Sequence, residues 1–409
     1  MNIAFLSASG NMGGAERSLY DVLASLRKAQ PQWKLTLIVP EEGPLETKVA
    51  DLGVATRIVP FGKRLSHLGD AGARGLKGKR LERLRFLYGA LAAILGIASY
   101  VRFLRRDLQH IAPDVIHANG LKMHILSIWA QPTKRIPVIW HIHDYVSKRP
   151  LMSRLLKMFS PRCAAAVVNS KSVGNDLRSI CGEGLKTYTV YNGVDLETFT
   201  PEGKQLDLDA LSGLLPAGPG IVRVGLLATM AHWKGHETFL KSLSLLAADT
   251  PVRGYIIGGP IYQTRGSQFS SEELRELATR LGVEHRVGFT GFIDDSAAAI
   301  RSLDVLVHAS TEPEPFGLVI VEGMACGRSV IASGAGGASE ILTLGDAALS
   351  HPPGDAETLS YCINQLACNA ELRSRLSQAG RAIAERCFDR VRLARELIPV
   401  YQEVVRAVR

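Results

Sequence analysis

The 409-residue chain has few cysteines and no arrangement of them that could organise a site. Cys163, Cys181, Cys326, Cys362, Cys368 and Cys387 lie scattered, with no C-x-x-C pair. This excludes a disulfide framework and a zinc knuckle, and predicts reduced thiols in a cytoplasmic protein. The histidines form no H-E-x-x-H or similar cluster, so no tightly held metal is expected. No signal peptide is expected either, because the chain opens on Asn2-Ile3-Ala4-Phe5-Leu6, the pattern of a first strand. Solenoid repeats and low-complexity tracts are missing as well. The uncharged run Phe86–Val101 is shorter than the ~20 residues that a bilayer crossing requires.

Charge is present but local. The net charge is +9, and the segment from Lys63 to Arg106 carries eleven bases against two acids. The rest of the chain balances, with 37 of each, so a global nucleic-acid-binding character does not follow and no nucleic-acid partner is expected. The basic stretch 63–85 reads as an insertion in a minimal α/β unit. With the apolar run after it, residues 63–106 have two readings: a buried crossover helix, or a surface resting on an anionic membrane beside a lipid-linked acceptor.

The length suits two domains of roughly 200 residues. Short β-branched runs alternate with helical patterns throughout, which predicts parallel sheets with crossover helices. The first series of strands is Ile3–Ser7, Leu35–Val39, Thr56–Pro60, Val115–His117, Val138–His141, Ala165–Val168 and Thr187–Val190. A loop-like stretch through Pro201, Gly213, Pro216, Gly218, Pro219 and Gly220 reads as a linker. The second series is Ile221–Leu227, Gly254–Ile257, Arg286–Phe289, Val305–His308, Ser329–Ala332 and Ala347–Ser350. The expected organisation is therefore a Rossmann-like domain over 1–200, another over 201–388, and a final helix over 389–409. Two doubly wound domains place their ligands at strand C-termini, facing a cleft.

Four patterns at strand ends carry candidate chemistry. Glu314-Pro315-Phe316-Gly317-Leu318-Val319-Ile320-Val321-Glu322 follows the strand Val305–His308 and runs into a helix. Glu314 at the helix entry lies beside free N–H groups that suit a diphosphate, and Glu322 can accept hydrogen bonds from two hydroxyls of a ribose. Eight residues of helix span ~12 Å. Hydrolase carboxyl pairs need about 5–9.5 Å, so a glycosidase pair is excluded. Lys234, in Thr229-Met230-Ala231-His232-Trp233-Lys234-Gly235, offers a point charge to a diphosphate, although a helix-entry lysine is equally at home in solvent. The turn Gly10-Asn11-Met12-Gly13-Gly14-Ala15-Glu16 allows close backbone approach to a ligand, or is simply a tight turn. It is not the G-x-G-x-x-G fingerprint of dinucleotide binding. In Trp140-His141-Ile142-His143-Asp144 the two histidines share strand parity, so both can line one side.

In this order, these motifs resemble the retaining glycosyltransferases of family 4, which have the GT-B fold. The likeness extends through Pro113-Asp114-Val115-Ile116-His117-Ala118, Asn192-Gly193-Val194-Asp195, Gly336-Gly337…Glu340 and Pro352-Pro353-Gly354-Asp355. It implies that Glu314 contacts the donor sugar's hydroxyls, Glu322 the ribose and Lys234 the diphosphate. Gly13 and Gly14 would approach phosphate and acceptor, His143 would lie beside the sugar, and amides around Gly317, Leu318 and Val319 would complete the phosphate cradle. Base recognition would fall near Thr290-Gly291-Phe292-Ile293, with Phe292 on the donor. The final helix would cross back onto the first domain. Thr229 departs from the pattern, since many members carry an arginine there; Arg265 is the candidate replacement. The resemblance implies transfer of a hexose from a UDP- or GDP-sugar to a glycan or lipid-linked acceptor. It further implies retention of configuration, no metal and no permanently bound cofactor, in a cytoplasmic enzyme, and the membrane reading of residues 63–106 would place it peripherally on the inner face of the cytoplasmic membrane. A nucleotide-sugar epimerase-like isomerase and a catalytically impaired nucleotide-sugar-binding protein are the other readings.

Overall fold

The computed structural model describes residues 1–61, 80–259 and 267–408, with backbone alone over 80–94. Most of the expected basic insertion, and Arg265, lie outside the described residues. The chain divides into two units, one comprising Met1–Asn169, Val173–Val190 and Val391–Arg409, the other Ser170–Ser172 and Tyr191–Arg390.

In the first unit the described strands are β1 (Asn2–Ser7), β2 (Lys34–Val39), β3 (Ala55–Ile58), β4 (Val115–Asn119), β5 (Val138–Ile142), β6 (Ala165–Val168) and β7 (Thr187–Thr189). They form a parallel sheet in the order β3-β2-β1-β4-β5-β6-β7. Helices cover both faces of such a sheet, so its strands must be apolar on both sides. Accordingly Ile3, Ala4, Phe5 and Leu6 are all buried, alternating between two hydrophobic clusters. The order reverses between β1 and β4, where Ser7 pairs with Asn119. A doubly wound sheet binds ligands beyond the strand ends at such a reversal.

The final helix, Arg392–Val408, belongs to this unit. Leu393, Leu397, Val400, Tyr401 and Val404 recur at helical spacing and pack in one cluster with Phe5, Leu19 and Leu37. Its first turn is pinned where the Ala394 amide donates to Ser25 Oγ at 3.0 Å.

The second unit holds β8 (Val222–Leu227), β9 (Val252–Ile257), β10 (Val287–Gly291), β11 (Val305–His308), β12 (Ser329–Ser333) and β13 (Leu349–His351). Their order is β10-β9-β8-β11-β12-β13, all parallel, with the reversal between β8 and β11. The loops carrying Lys234 and Glu314 leave these two central strands. The stretch over 201–220, read as a linker, is part of this unit's packing. Asp209, on the short helix Leu208–Ser212, is buried and accepts from Arg253 Nη1 and Tyr255 Oη, each at 2.7 Å. Gly and Pro bound the helix to these five residues, but they do not prevent its burial.

Among the described residues no helix is long and apolar enough to cross a membrane.

Candidate active site

The second unit brings Lys234 and Glu314 into direct contact. After β8 the chain makes one turn of 3-10 helix, His232–Lys234, before the helix His236–Ser244 begins. The helix therefore starts two residues beyond Lys234. Gly235 is the hinge between them, at φ +79°, where a Cβ would sit 1.8 Å from the Ala309 carbonyl oxygen. Gly235→Ala is expected to lose at least the ~1–2 kcal/mol of a left-handed non-glycine residue, plus the cost of moving the β11 loop. Urea unfolding checks it.

Glu314 lies at the far side of that loop. Its backbone is not part of a helix entry: its amide donates to Ala335 O (3.3 Å), and its carbonyl accepts from the Gly337 amide (2.7 Å). This bridge to the next loop keeps the Glu314 amide out of the set of free N–H groups expected at the helix entry. The helix begins only at Leu318, capped by Gly317 at φ +99°. A side chain there would press within 2.8 Å of Ile320 Cδ1. The amides of Leu318 and Val319 open the helix and have no hydrogen-bond partner among the described residues, as first-turn N–H groups do.

The Glu314 carboxylate is buried. It accepts from Lys234 Nζ at 2.8 and 3.1 Å, and its Oε2 is 2.7 Å from Ser310 Oγ and 3.1 Å from His308 Nε2. Burial alone would raise its pKa, but the Lys234 ammonium and the His308 hydrogen bond outweigh this and hold it well below the usual carboxylate range. Lys234 also lies over the Trp233 ring, 3.9 Å from its centroid. Two of these partners, Ser310 and His308, escaped the sequence reading, although both sit within six residues of Glu314.

Glu322 is buried on the helix Leu318–Ala325, four residues after Leu318 and three after Val319, so it shares their face. Leu318 and Val319 are half-buried, while the rest of the helix from Ile320 to Ala325 is buried. Thr229 is half-buried in the β8 loop, and Phe292 stands 63% exposed just after β10, its Cβ 3.6 Å from the place a Gly259 Cβ would take. Among the described residues no group of three or more His, Cys, Asp or Glu side chains is placed to share a metal ion.

The first unit gathers the other candidates. Gly13 precedes and Gly14 opens the helix Gly14–Ala29, and neither has a positive φ. Gly14 has open space where a Cβ would be, so the helix N-terminus is accessible there. His143, half-buried just past β5, places Nε2 2.6 Å from Asn119 Oδ1. Asn119 in turn donates Nδ2 to Ala15 O at 3.3 Å, tying His143 to the glycine turn. His141 and His143 do lie on one side, with ring centroids 4.1 Å apart.

Four histidines cluster here, and burial keeps them neutral. His117 is pushed down to about 3 and His124 to about 4, while His141 and His143 also lie well below their ordinary value. Unfolding returns each to a pKa near 6.5, so the unfolded chain binds more protons below that pH. Their contribution to stability is complete above pH 6.5 and declines as pH falls toward 4. For His117 and His124 together we expect a loss on the order of 2–4 kcal/mol between pH 7 and pH 5. Urea unfolding followed by tryptophan fluorescence at the two pH values measures it.

Two parallel sheets of this kind, each reversing beside the loops that carry the candidate residues, are the two Rossmann-like domains of the GT-B fold. The chain belongs to the family 4, group 1 glycosyltransferases through both halves: residues 12–198 match the model described as Glycosyltransferase Family 4, and residues 223–383 match Glycosyl transferases group 1. It is similar to a D-inositol 3-phosphate glycosyltransferase of Jonesia denitrificans, 30% identical over 250 residues, covering 58% of this chain and 57% of that one. A phosphatidyl-myo-inositol mannosyltransferase of Mycobacterium leprae is 29% identical over 296 residues, covering 71% of this chain and 74% of its own. The chain thus spans little more than half the length of the first of these relatives. Among solved structures, Anabaena HepE in complex with UDP and glucose superposes with a TM-score of 0.77 over 98% of this chain and 99% of its own, at 24% identity.

Proposed function

We propose that this glycosyltransferase moves a hexose from a UDP- or GDP-sugar to a glycan or lipid-linked acceptor, with retention of configuration and without a metal. The observation that carries the reading is the contact between Lys234 and the ionised Glu314, close in sequence to the unpartnered amides of Leu318 and Val319. Lys234 and those amides supply positive charge for a leaving diphosphate, in a setting where preorganised charge provides most of the barrier reduction. Glu322 receives the ribose, Phe292 offers an exposed ring to the base, and Glu314 takes hydroxyls of the donor sugar. Lys234 reaches the diphosphate by giving up part of its hold on Glu314. With Thr229 where an arginine is usual, Lys234 carries more of this task. HepE, bound to UDP and glucose, supports a UDP-sugar.

The acceptor proton leaves to the departing diphosphate on the same face, so no covalent intermediate is needed. His143 and the Gly13-Gly14 turn are assigned to sugar and acceptor. The glycolipid-forming relatives support a lipid-linked acceptor. So does the first unit's surface: Phe103 on the helix Arg80–Ile111 and Leu151 and Met158 on the helix Pro150–Phe159 are exposed, among Arg102, Arg106, Arg154 and Lys157. This favours peripheral contact with the anionic inner face of the cytoplasmic membrane, to which residues 63–106 would add. Failure to bind anionic vesicles at low salt would remove that contact.

The test is to incubate the protein with UDP-glucose or GDP-mannose and a panel of free and lipid-linked glycans in EDTA. The product's anomeric proton is then read by NMR. Retained configuration is expected; an inverted product, or a strict metal requirement, overturns the mechanism.

A further inference from the structure

A chain of buried polar groups in the first unit runs from the final helix to the site histidine. Tyr401 Oη lies 2.9 Å from His117 Nδ1, and His117 Nε2 lies 3.1 Å from His141 Nδ1. The His141 ring then packs against His143. Tyr401, His117 and His141 are all buried.

The direction of these hydrogen bonds follows from what each group can do. Tyr401 has one O–H to place, and among the described residues its only hydrogen-bond partner is His117 Nδ1. A buried hydroxyl left undonated is costly, so Tyr401 donates and His117 Nδ1 accepts. A neutral imidazole has one N–H, so His117 carries it on Nε2 and donates to His141 Nδ1. His141 must therefore carry its own proton on Nε2. The other end is set independently. Asn119 is oriented by its Nδ2 donation to Ala15 O, which leaves Oδ1 as acceptor for His143. His143 accordingly holds its proton on Nε2 and a lone pair on Nδ1. The two rings, tilted at 41° to each other, thus carry one N–H, on His141 Nε2, and one lone pair, on His143 Nδ1.

We infer that Tyr401 is a positioning residue for His141, acting through the tautomer of His117 to fix which nitrogen of His141 carries the N–H beside His143. The inference rests on the assignment of His143 to the transfer site. It gives the docking of the final helix a role in the reaction besides packing.

The test is the long-range proton–nitrogen spectrum of histidine-labelled protein at pH 7, in the wild type, in Tyr401→Phe and in His117→Gln. The wild type is expected to show His117, His141 and His143 all protonated at Nε2. Tyr401→Phe keeps the buried ring and removes only the hydroxyl. It should release the His117 tautomer, shift the His141 and His143 resonances, and lower kcat for UDP-glucose turnover about tenfold with KM unchanged. His117→Gln breaks the chain at its middle and should shift His141 and His143 likewise, which keeps the test open if Tyr401→Phe does not fold. A wild-type His117 protonated at Nδ1, or His141 resonances that neither variant moves, overturns the inference. A wild type without UDP-glucose turnover counts against the donor reading alone, since the spectra still decide the tautomer order.

Discussion

Replacing Glu314 with glutamine is expected to cut sugar transfer about 10²–10³-fold while leaving nucleoside diphosphate binding in place. The amide has the shape of the carboxylate and still offers an oxygen to Lys234 or Ser310. It lacks the charge that the Lys234 ammonium and His308 stabilise in a buried setting. Lys234 is then held less tightly and stays available to a diphosphate, so UDP affinity does not fall. What is lost is the fixed negative charge beside the reacting sugar. Steady-state kcat together with calorimetric UDP binding separates the two effects. A kcat within a few-fold of wild type would show that Glu314 only anchors the lysine.

Lys234→Ala should act in the opposite sense on binding, abolishing the nucleoside diphosphate response. It should also weaken the second unit. The Lys234 side chain is 20% exposed and that of Glu314 10%, so the variant leaves a buried carboxylate without its cation. Breaking a buried pair from one side costs about 3–5 kcal/mol, an upper bound here because Ser310, His308 and proton uptake by Glu314 offset part of it. The loss should shrink as pH falls and should begin to do so above the ordinary carboxylate value, because burial without the lysine pushes Glu314 upward and lets the folded variant take up a proton. Urea unfolding of wild type and variant across that range reads the difference.

Much of the architecture was legible because parallel strands covered on both faces must be apolar throughout. Ala165–Val168 and Val305–His308 announce themselves as short uninterrupted runs, and the structure places both at those bounds. The final helix was legible for the same kind of reason, from its apolar spacing. The stretch over 201–220 misled because Gly and Pro report local conformation, while the burial of Asp209 depends on Arg253 and Tyr255 some 45 residues away. The glutamate pair and the lysine were visible as residues at strand ends, but their contact was not. It arises because the β11 loop folds back to bridge Glu314 to Gly336, which no periodicity records. Tyr401 had no signal at all: it meets His117 across 284 positions, and as an apolar-face residue of a helix it reads as core.

The claim that Lys234 and Glu322 bind a nucleotide-sugar donor is tested most directly by a thermal-shift series in EDTA. UDP, GDP, ADP, CDP and TDP are each added to the wild type, Lys234→Ala and Glu322→Ala. A ligand that binds only the folded state must raise its melting temperature. The account predicts that one diphosphate, UDP or GDP, stabilises the wild type and neither variant. A wild type that responds to none of them, or variants that respond as the wild type does, would contradict it.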